Sequence, residues 1–193
     1  MTVPRFLAPD LVDAFAFAAD VHAGQVRKDS GGEPYIGHLM AACAIAIEYG
    51  ADLDQARAAL LHDTIEDGDG KVTRELLEER FGARVARIVA DCSDSDGTRP
   101  KPPWRERKQR YLEHLRAAPA DSRLVSAADK LANARAIARD LATIGERVWD
   151  KFSRGRDDQL WYYGALVDAL ADGATGDLAR LVDELRAVVA RFG

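Results

Sequence analysis

Gln55-Ala56-Arg57-Ala58-Ala59-Leu60-Leu61-His62-Asp63-Thr64-Ile65-Glu66-Asp67 is the stretch on which the reading of this chain turns. Its alanines and leucines favour a helix, which Asp52 or Asp54 is placed to cap. Gly68-Asp69-Gly70 stops it. The last six residues carry one imidazole and three carboxylates. On a helix His62 and Glu66 share a face, as do Asp63 and Asp67, and Asp63 and Glu66. His62 and Asp63 are neighbours, about 100° apart around the axis, so they reach one ion only at the edge between them. Four polar groups at a helix end also describe a solvated terminus. Against that, three acids at a C-terminus oppose the macrodipole, and a bound cation would relieve them.

Helical periodicity extends in both directions. Upstream, Asp10 can cap Leu11 to Ala23, where Leu11, Ala14, Phe15, Ala18 and Val21 recur at helical spacing. Gln25 to Gly37 holds Ser30-Gly31-Gly32 and Pro34 and reads as a loop. His38 opens a helix that Gly50 can end. Downstream, Thr73 starts a helix closed by Gly82, and Ala83 to Cys92 forms another. Ser93 to Pro103, with Gly97, Pro100, Pro102 and Pro103, is a surface loop of the kind that carries function. A basic amphipathic helix follows from Trp104. After Pro119 come Arg123 to Ala142 and three further helical stretches, at Glu146 to Phe152, Asp157 to Asp172 and Gly176 to Phe192. No alternating strand pattern, repeat or linker interrupts them, so the expectation is an all-α bundle of about eight or more helices.

The chain has 193 residues, 47% hydrophobic and 31% charged, enough for one continuous core across residues 1–193. A net charge of -5 lacks the basic footprint of a nucleic-acid binder, although local cations can still hold a small anion. Cys43 and Cys92 form no CxxC pair, which suits a reducing cytoplasm. The N-terminus has no signal-peptide core, and no apolar run is long enough to span a membrane.

Two further segments bear on the central stretch. Asp129 interrupts the apolar pattern of Leu124, Val125, Ala128, Leu131 and Ala132. Such an Asp is either solvated or buried with a charged partner. Lys130, Asn133 and Arg135 follow it closely. Arg27-Lys28, with the backbone donors of Ser30-Gly31-Gly32, can hold phosphate or form an ordinary basic turn. His22 and His114 read as surface or packing residues. Trp104, Trp149, Trp161, Tyr162 and Tyr163 read as core or interface aromatics.

In order, these pieces resemble the HD superfamily of metal-dependent phosphohydrolases, whose pattern is H…HD…D. They are most similar to the RelA/SpoT-type hydrolase domain and the small stand-alone alarmone hydrolases. The matching residues are Arg27-Lys28, Gly32 to His38, His62 to Asp67, Phe81-Gly82 and Asp129-Lys130-Leu131-x-Asn133, covering about residues 11–170. The resemblance implies an HD-type helical domain and a metal site of His38, His62, Asp63 and Asp129, a mixed N/O set that suits Mn²⁺. It implies that Glu66 and Asp67 handle the attacking water and its proton. It assigns Arg27, Lys28, Lys130, Asn133 and Arg135 to the substrate. The implied reaction removes the 3′-pyrophosphate of guanosine tetra- or pentaphosphate, giving GDP or GTP and pyrophosphate. The alternatives are an adenosine alarmone or another phosphorylated nucleotide, or a nucleotide sensor without turnover. Glu66 and Asp67 speak against the sensor. Leu39 stands where the family usually has Pro, the proline-rich loop 94–103 resembles the stand-alone branch, and 193 residues leave no room for a synthetase domain.

Overall fold

The computed structural model describes residues 9–27, 31–95, 97 and 100–193. Among them run ten α-helices: α1 (Pro9–Val21), α2 (Ile36–Glu48), α3 (Leu53–Leu61), α4 (Thr64–Asp67), α5 (Arg74–Phe81), α6 (Ala83–Cys92), α7 (Trp104–Ala117), α8 (Ala120–Ile144), α9 (Arg156–Ala171) and α10 (Gly176–Val189). Two 3-10 segments, Gly145–Lys151 and Ala190–Phe192, complete the order. The described residues contain no strand, only an isolated antiparallel bridge between Val26 and Pro34. The architecture is all-α.

The 25-residue α8 is the axle. At 1.5 Å per residue it is about 37 Å long. Leu124, Val125, Ala127, Ala128, Leu131, Ala132, Ala134, Ile137 and Ala138 are all buried along it. An apolar surface that wide has to be covered on more than one side. Helices α2, α3, α6 and α10 supply the cover. Alanines at 14, 18, 42, 46, 56, 58 and 59 let the helices approach closely, and Leu39, Leu61, Leu77, Ile88, Leu115 and Leu131 fill the space between them.

Local chemistry sets the helix ends. Asp52 caps α3 in a capping box, accepting from Gln55 N while Gln55 Oε1 accepts from Asp52 N, both at 3.0 Å. Thr73 caps α5 through Leu76 N at 3.2 Å. Gly50, at φ 80°, closes α2 with hydrogen bonds from Gly50 N to Ile47 O and from Ala51 N to Ala46 O. A side chain there is strained by that positive φ, although the exposed Asp177 carboxylate, 2.7 Å from where a Cβ would lie, could swing aside.

Four details depart from the periodic reading. Asp10 lies within α1, whose described part begins at Pro9. Helix α2 starts at Ile36, ahead of His38. Residues 145–151 wind as a 3-10 segment after the positive-φ Gly145. The fourth departure, a break between His62 and Thr64, shapes the site.

Candidate metal centre and cleft

Helix α3 ends at Leu61 and α4 begins at Thr64. Side chains capture the carbonyls at the break: His62 Nδ1 donates to Ala59 O at 2.8 Å, and Thr64 Oγ1 donates to Leu61 O at 2.7 Å. Asp63 sits between them at φ -98° and ψ -2°, the bridge region. This kink resolves the problem of two neighbours 100° apart. His62 Nε2 and Asp63 Oδ2 come within 3.0 Å of each other.

Two other helices complete the cluster. His38 from the first turn of α2 brings Nε2 to 3.1 Å from Asp129 Oδ1 and 3.6 Å from Asp63 Oδ2. His62 Nε2 lies 3.4 Å from the same Asp129 oxygen. The two imidazoles meet edge to face, 5.1 Å apart at 78°. Ligand atoms of His38, His62 and Asp129 all fall within 4.8 Å of one another, and all three residues are buried. Asp129 therefore takes the buried alternative, at 2% exposure.

The donors suit a divalent cation. The carbonyl of Ala59 fixes a hydrogen on His62 Nδ1, which leaves Nε2 as the coordinating atom. That Nε2 is buried and makes no hydrogen bond, although two carboxylate oxygens stand close by. A cation seated among His38, His62 and Asp129 would satisfy that nitrogen, with the Asp63 carboxylate beside it. Against the burial that would raise them, His62 and its neighbours hold Asp63 well below the usual carboxylate range, and Lys130 and His62 do the same for Asp129. Burial opposes charge on His62, but Asp63 and Asp129 raise it well above its ordinary value, so a proton and a metal ion compete for Nε2.

A shell of hydrogen bonds orients the cluster. Tyr35 OH donates to Asp63 Oδ2 at 2.6 Å. Lys130 Nζ donates to Asp129 Oδ2 at 2.6 Å, and Asn133 Nδ2 to Asp129 Oδ1 at 2.7 Å. Arg27 reaches Asn133 Oδ1 at 2.8 Å. Lys130 is thus a half-buried counter-ion of Asp129 one residue away, and Asn133 links Asp129 to Arg27.

The cluster opens into a cleft of about 610 Å³. Glu66 and Asp67 stand on its flank, one turn beyond Asp63. Glu66 Oε1 accepts from the Asp94 backbone N–H at 2.7 Å, and Lys101 Nζ lies 3.6 Å from Oε2. Burial, then the charges of Asp94 and Asp63, push the Glu66 carboxyl up to about 7. Asp94 is itself clamped by Lys108 Nζ at 2.6 Å and by Arg107. Burial opposes its charge, but these cations hold it down to about 2. Gly97 lies flat on α4, where a Cβ would meet Ile65 O at 2.5 Å. Gly97 is therefore seated directly on the segment that carries the acids.

The far wall comes from α7, α8, α9 and the segment after residue 145. Arg107, Lys108, Arg139 and Lys151 line it, with Trp104, Phe152, Tyr162 and Tyr163. The reading of these aromatics as core or interface residues holds for Trp149, which packs on Phe192. Trp104, Tyr162 and Tyr163 also face the cleft. Their helix spacing signalled burial but not which cavity they border.

One of the sequence expectations is not brought to the cleft. Arg135 does not line it; its guanidinium pairs with Glu184 of α10. Two residues beyond Asn133 is about 200° around the helix, so the two side chains leave on opposite sides. Lys28 and Ser30 lie outside the described residues. Sequence reasoning also passed over Tyr35, Asp94, Lys101, Arg107 and Lys108. Tyr35 stood within the matching Gly32 to His38 run and was legible there. The others read as ordinary surface charges. His22, read as surface or packing, is buried behind Asp67.

A family model described as HD domain matches residues 14–160. Guanosine-3′,5′-bis(diphosphate) 3′-pyrophosphohydrolase MESH1 of Danio rerio is 42% identical over 131 residues, which is 67% of this chain and 69% of that protein. A guanosine-3′,5′-bis(diphosphate) 3′-pyrophosphohydrolase of Vibrio cholerae is 38% identical over 176 residues, 88% of this chain but 23% of that longer protein. The solved structure described as a metazoan ortholog of SpoT that hydrolyzes ppGpp matches with a TM-score of 0.72 at 26% identity, covering 97% of each chain. With the HD domain matched over residues 14–160, the chain belongs to the HD-domain family.

Proposed function

We propose that this protein is a metal-dependent guanosine-3′,5′-bis(diphosphate) 3′-pyrophosphohydrolase, acting on guanosine tetra- and pentaphosphate to give GDP or GTP and pyrophosphate. The observation that carries the reading is the placement of Glu66, a half-buried carboxylate, on an open cleft that also reaches Asp63 and Asp129, next to the buried group of His38, His62 and Asp129. The named activity of relatives at 38% and 42% identity supports the same substrate.

In this reading His38, His62, Asp63 and Asp129 hold the ion, and Mn²⁺ is the proposed ion for their mixed N/O set. When bound, it supplies Lewis acidity towards water and phosphoryl oxygen. Glu66 takes the proton of the attacking water. Its Oε1 is occupied by the Asp94 N–H, so Oε2 is the accepting atom. Asp67 orients the same water. The water oxygen ends on phosphorus, the bond to the ribose 3′ oxygen breaks, and that oxygen takes up a proton.

Arg27, Lys28, Lys130 and Asn133 form the nucleotide side, with Lys101, Arg107, Lys108, Arg139 and Lys151 added for the phosphates. The cleft lining holds seven Lys and Arg residues and seven Asp and Glu residues. A divalent ion tips that balance towards an anionic substrate. We infer one domain over residues 1–193, since α4, α6, α7, α8 and α9 all contribute to one cleft. No described helix is long and apolar enough to cross a membrane. Two free, buried cysteines support a reducing, cytoplasmic setting.

The test is direct. Purified protein is incubated with Mn²⁺ and guanosine 3′,5′-bis(diphosphate), and products are separated by anion exchange. GDP and pyrophosphate in equal amounts, abolished by chelator, are expected. Metal binding without turnover would overturn the guanosine assignment and favour an adenosine alarmone, or a sensor.

A further inference from the structure

Behind Asp67 stand two polar side chains that the proposed reaction leaves without a role. Gln25 Nε2 donates to Asp67 Oδ2 at 3.0 Å, and Gln25 Oε1 lies 2.7 Å from His22 Nδ1. The chemistry of the groups fixes both directions. A carboxylate oxygen accepts, so the amide nitrogen must face Asp67. The amide oxygen then faces His22 and can only accept, so Nδ1 carries the hydrogen.

His22 is an expensive residue to bury for packing alone. It is 4% exposed, and its Nε2 has no hydrogen-bond partner. An apolar ring would fill the same space with no orphaned nitrogen. The ring also stacks on Tyr35, 5.0 Å away at 23°, and Tyr35 OH donates to Asp63. The one hydrogen bond the His22 ring makes among the described residues is the one that decides which way the Gln25 amide points.

We propose that His22 and Gln25 are positioning residues for Asp67. The His22 Nδ1–H locks the Gln25 amide with its NH₂ towards Asp67, and this holds the Asp67 carboxylate in a single orientation towards the cleft. Without the lock the amide can turn over, and its oxygen would then oppose a carboxylate oxygen. This inference rests on Asp67 being a member of the catalytic pair.

His22→Phe and His22→Asn separate the lock from the packing. Phe keeps the ring and the stack on Tyr35 but removes the donor. Asn loses the ring, yet its Nδ2 can stand where Nδ1 stood. His22→Phe is expected to lower kcat by about tenfold or more, with KM and bound manganese unchanged. His22→Asn is expected to restore most of the rate despite a lower Tm. Wild-type kcat in His22→Phe, or equal loss in both variants, overturns the lock. If His22→Phe does not fold, Gln25→Met carries the same test on a half-buried residue and should lose kcat to a similar degree; wild-type kcat there overturns the lock as well. Asp67→Asn separates the two levels. Full turnover in Asp67→Asn removes the premise that Asp67 is catalytic, whereas an inactive Asp67→Asn beside an active His22→Phe overturns only the positioning role.

Discussion

The floor of the cleft gathers two imidazoles and two carboxylates from α2, the α3–α4 break and α8, packed into the core with almost no freedom. Its far wall spreads Lys101, Arg107, Lys108, Arg139 and Lys151 over a loop, two helices and a 3-10 segment. Floor groups stand 3.0 to 3.6 Å apart and are tied down by Tyr35, Lys130 and Asn133. Wall cations each hold a carboxylate, as Lys108 holds Asp94 and Lys151 holds Asp140. The floor is built so that one ion fits or none does. The wall can exchange its carboxylates for phosphate oxygens one at a time. Loss of a floor group should therefore be all-or-none, and loss of a wall group graded.

The sharpest break in that contrast would come from Asp63→Ala. It should leave neither detectable manganese by elemental analysis nor turnover, because an anionic group is removed from the cluster's centre. Retained metal with normal rate would show that the floor is not the metal site. Glu66→Gln lies between floor and wall. It should keep its manganese and lose roughly 10²–10⁴-fold in kcat, the usual worth of a general base. A graded effect belongs to Lys151→Met, expected to raise KM by about three- to tenfold with kcat unchanged, more strongly at low salt. A collapse of kcat there would place Lys151 among the catalytic groups instead. The smallest change should follow Asp94→Asn. Glu66 works as a base only when deprotonated, so kcat/KM should rise with pH on an acid limb at or below about 7. Asp94 carries a charge that raises the Glu66 carboxyl, so its removal should move the limb to lower pH. An upward shift would mean that the backbone contact from residue 94 outweighs its charge.

The same contrast governs what could be read from the sequence. Floor chemistry is written locally, because a helix presents His62, Asp63, Glu66 and Asp67 in six residues and interrupts an apolar stripe only at Asp129. Helix order was legible for the same reason, through Asp52, Thr73, Gly50 and the spacing of leucines and alanines. The kink at Asp63 was not, since it depends on His62 and Thr64 capturing carbonyls that a periodic reading leaves to the helix. Wall residues were illegible because each lies in a segment where Lys and Arg are unremarkable, and only tertiary packing gathers them. Arg135 shows the converse. Its place near Asn133 in the chain suggested a common pocket, while helical phase turned it towards Glu184.

Trp104 lines the cleft, its ring edge-on to Trp161 and Tyr162, while Trp149 is packed against Phe192 at 5.8 Å. Of the three tryptophans in the chain, one therefore lines the cleft and one is packed away from it. The protein carries its own optical reporter. Intrinsic emission can follow ligand arrival in real time, without label or product, and can do so in variants that no longer turn over.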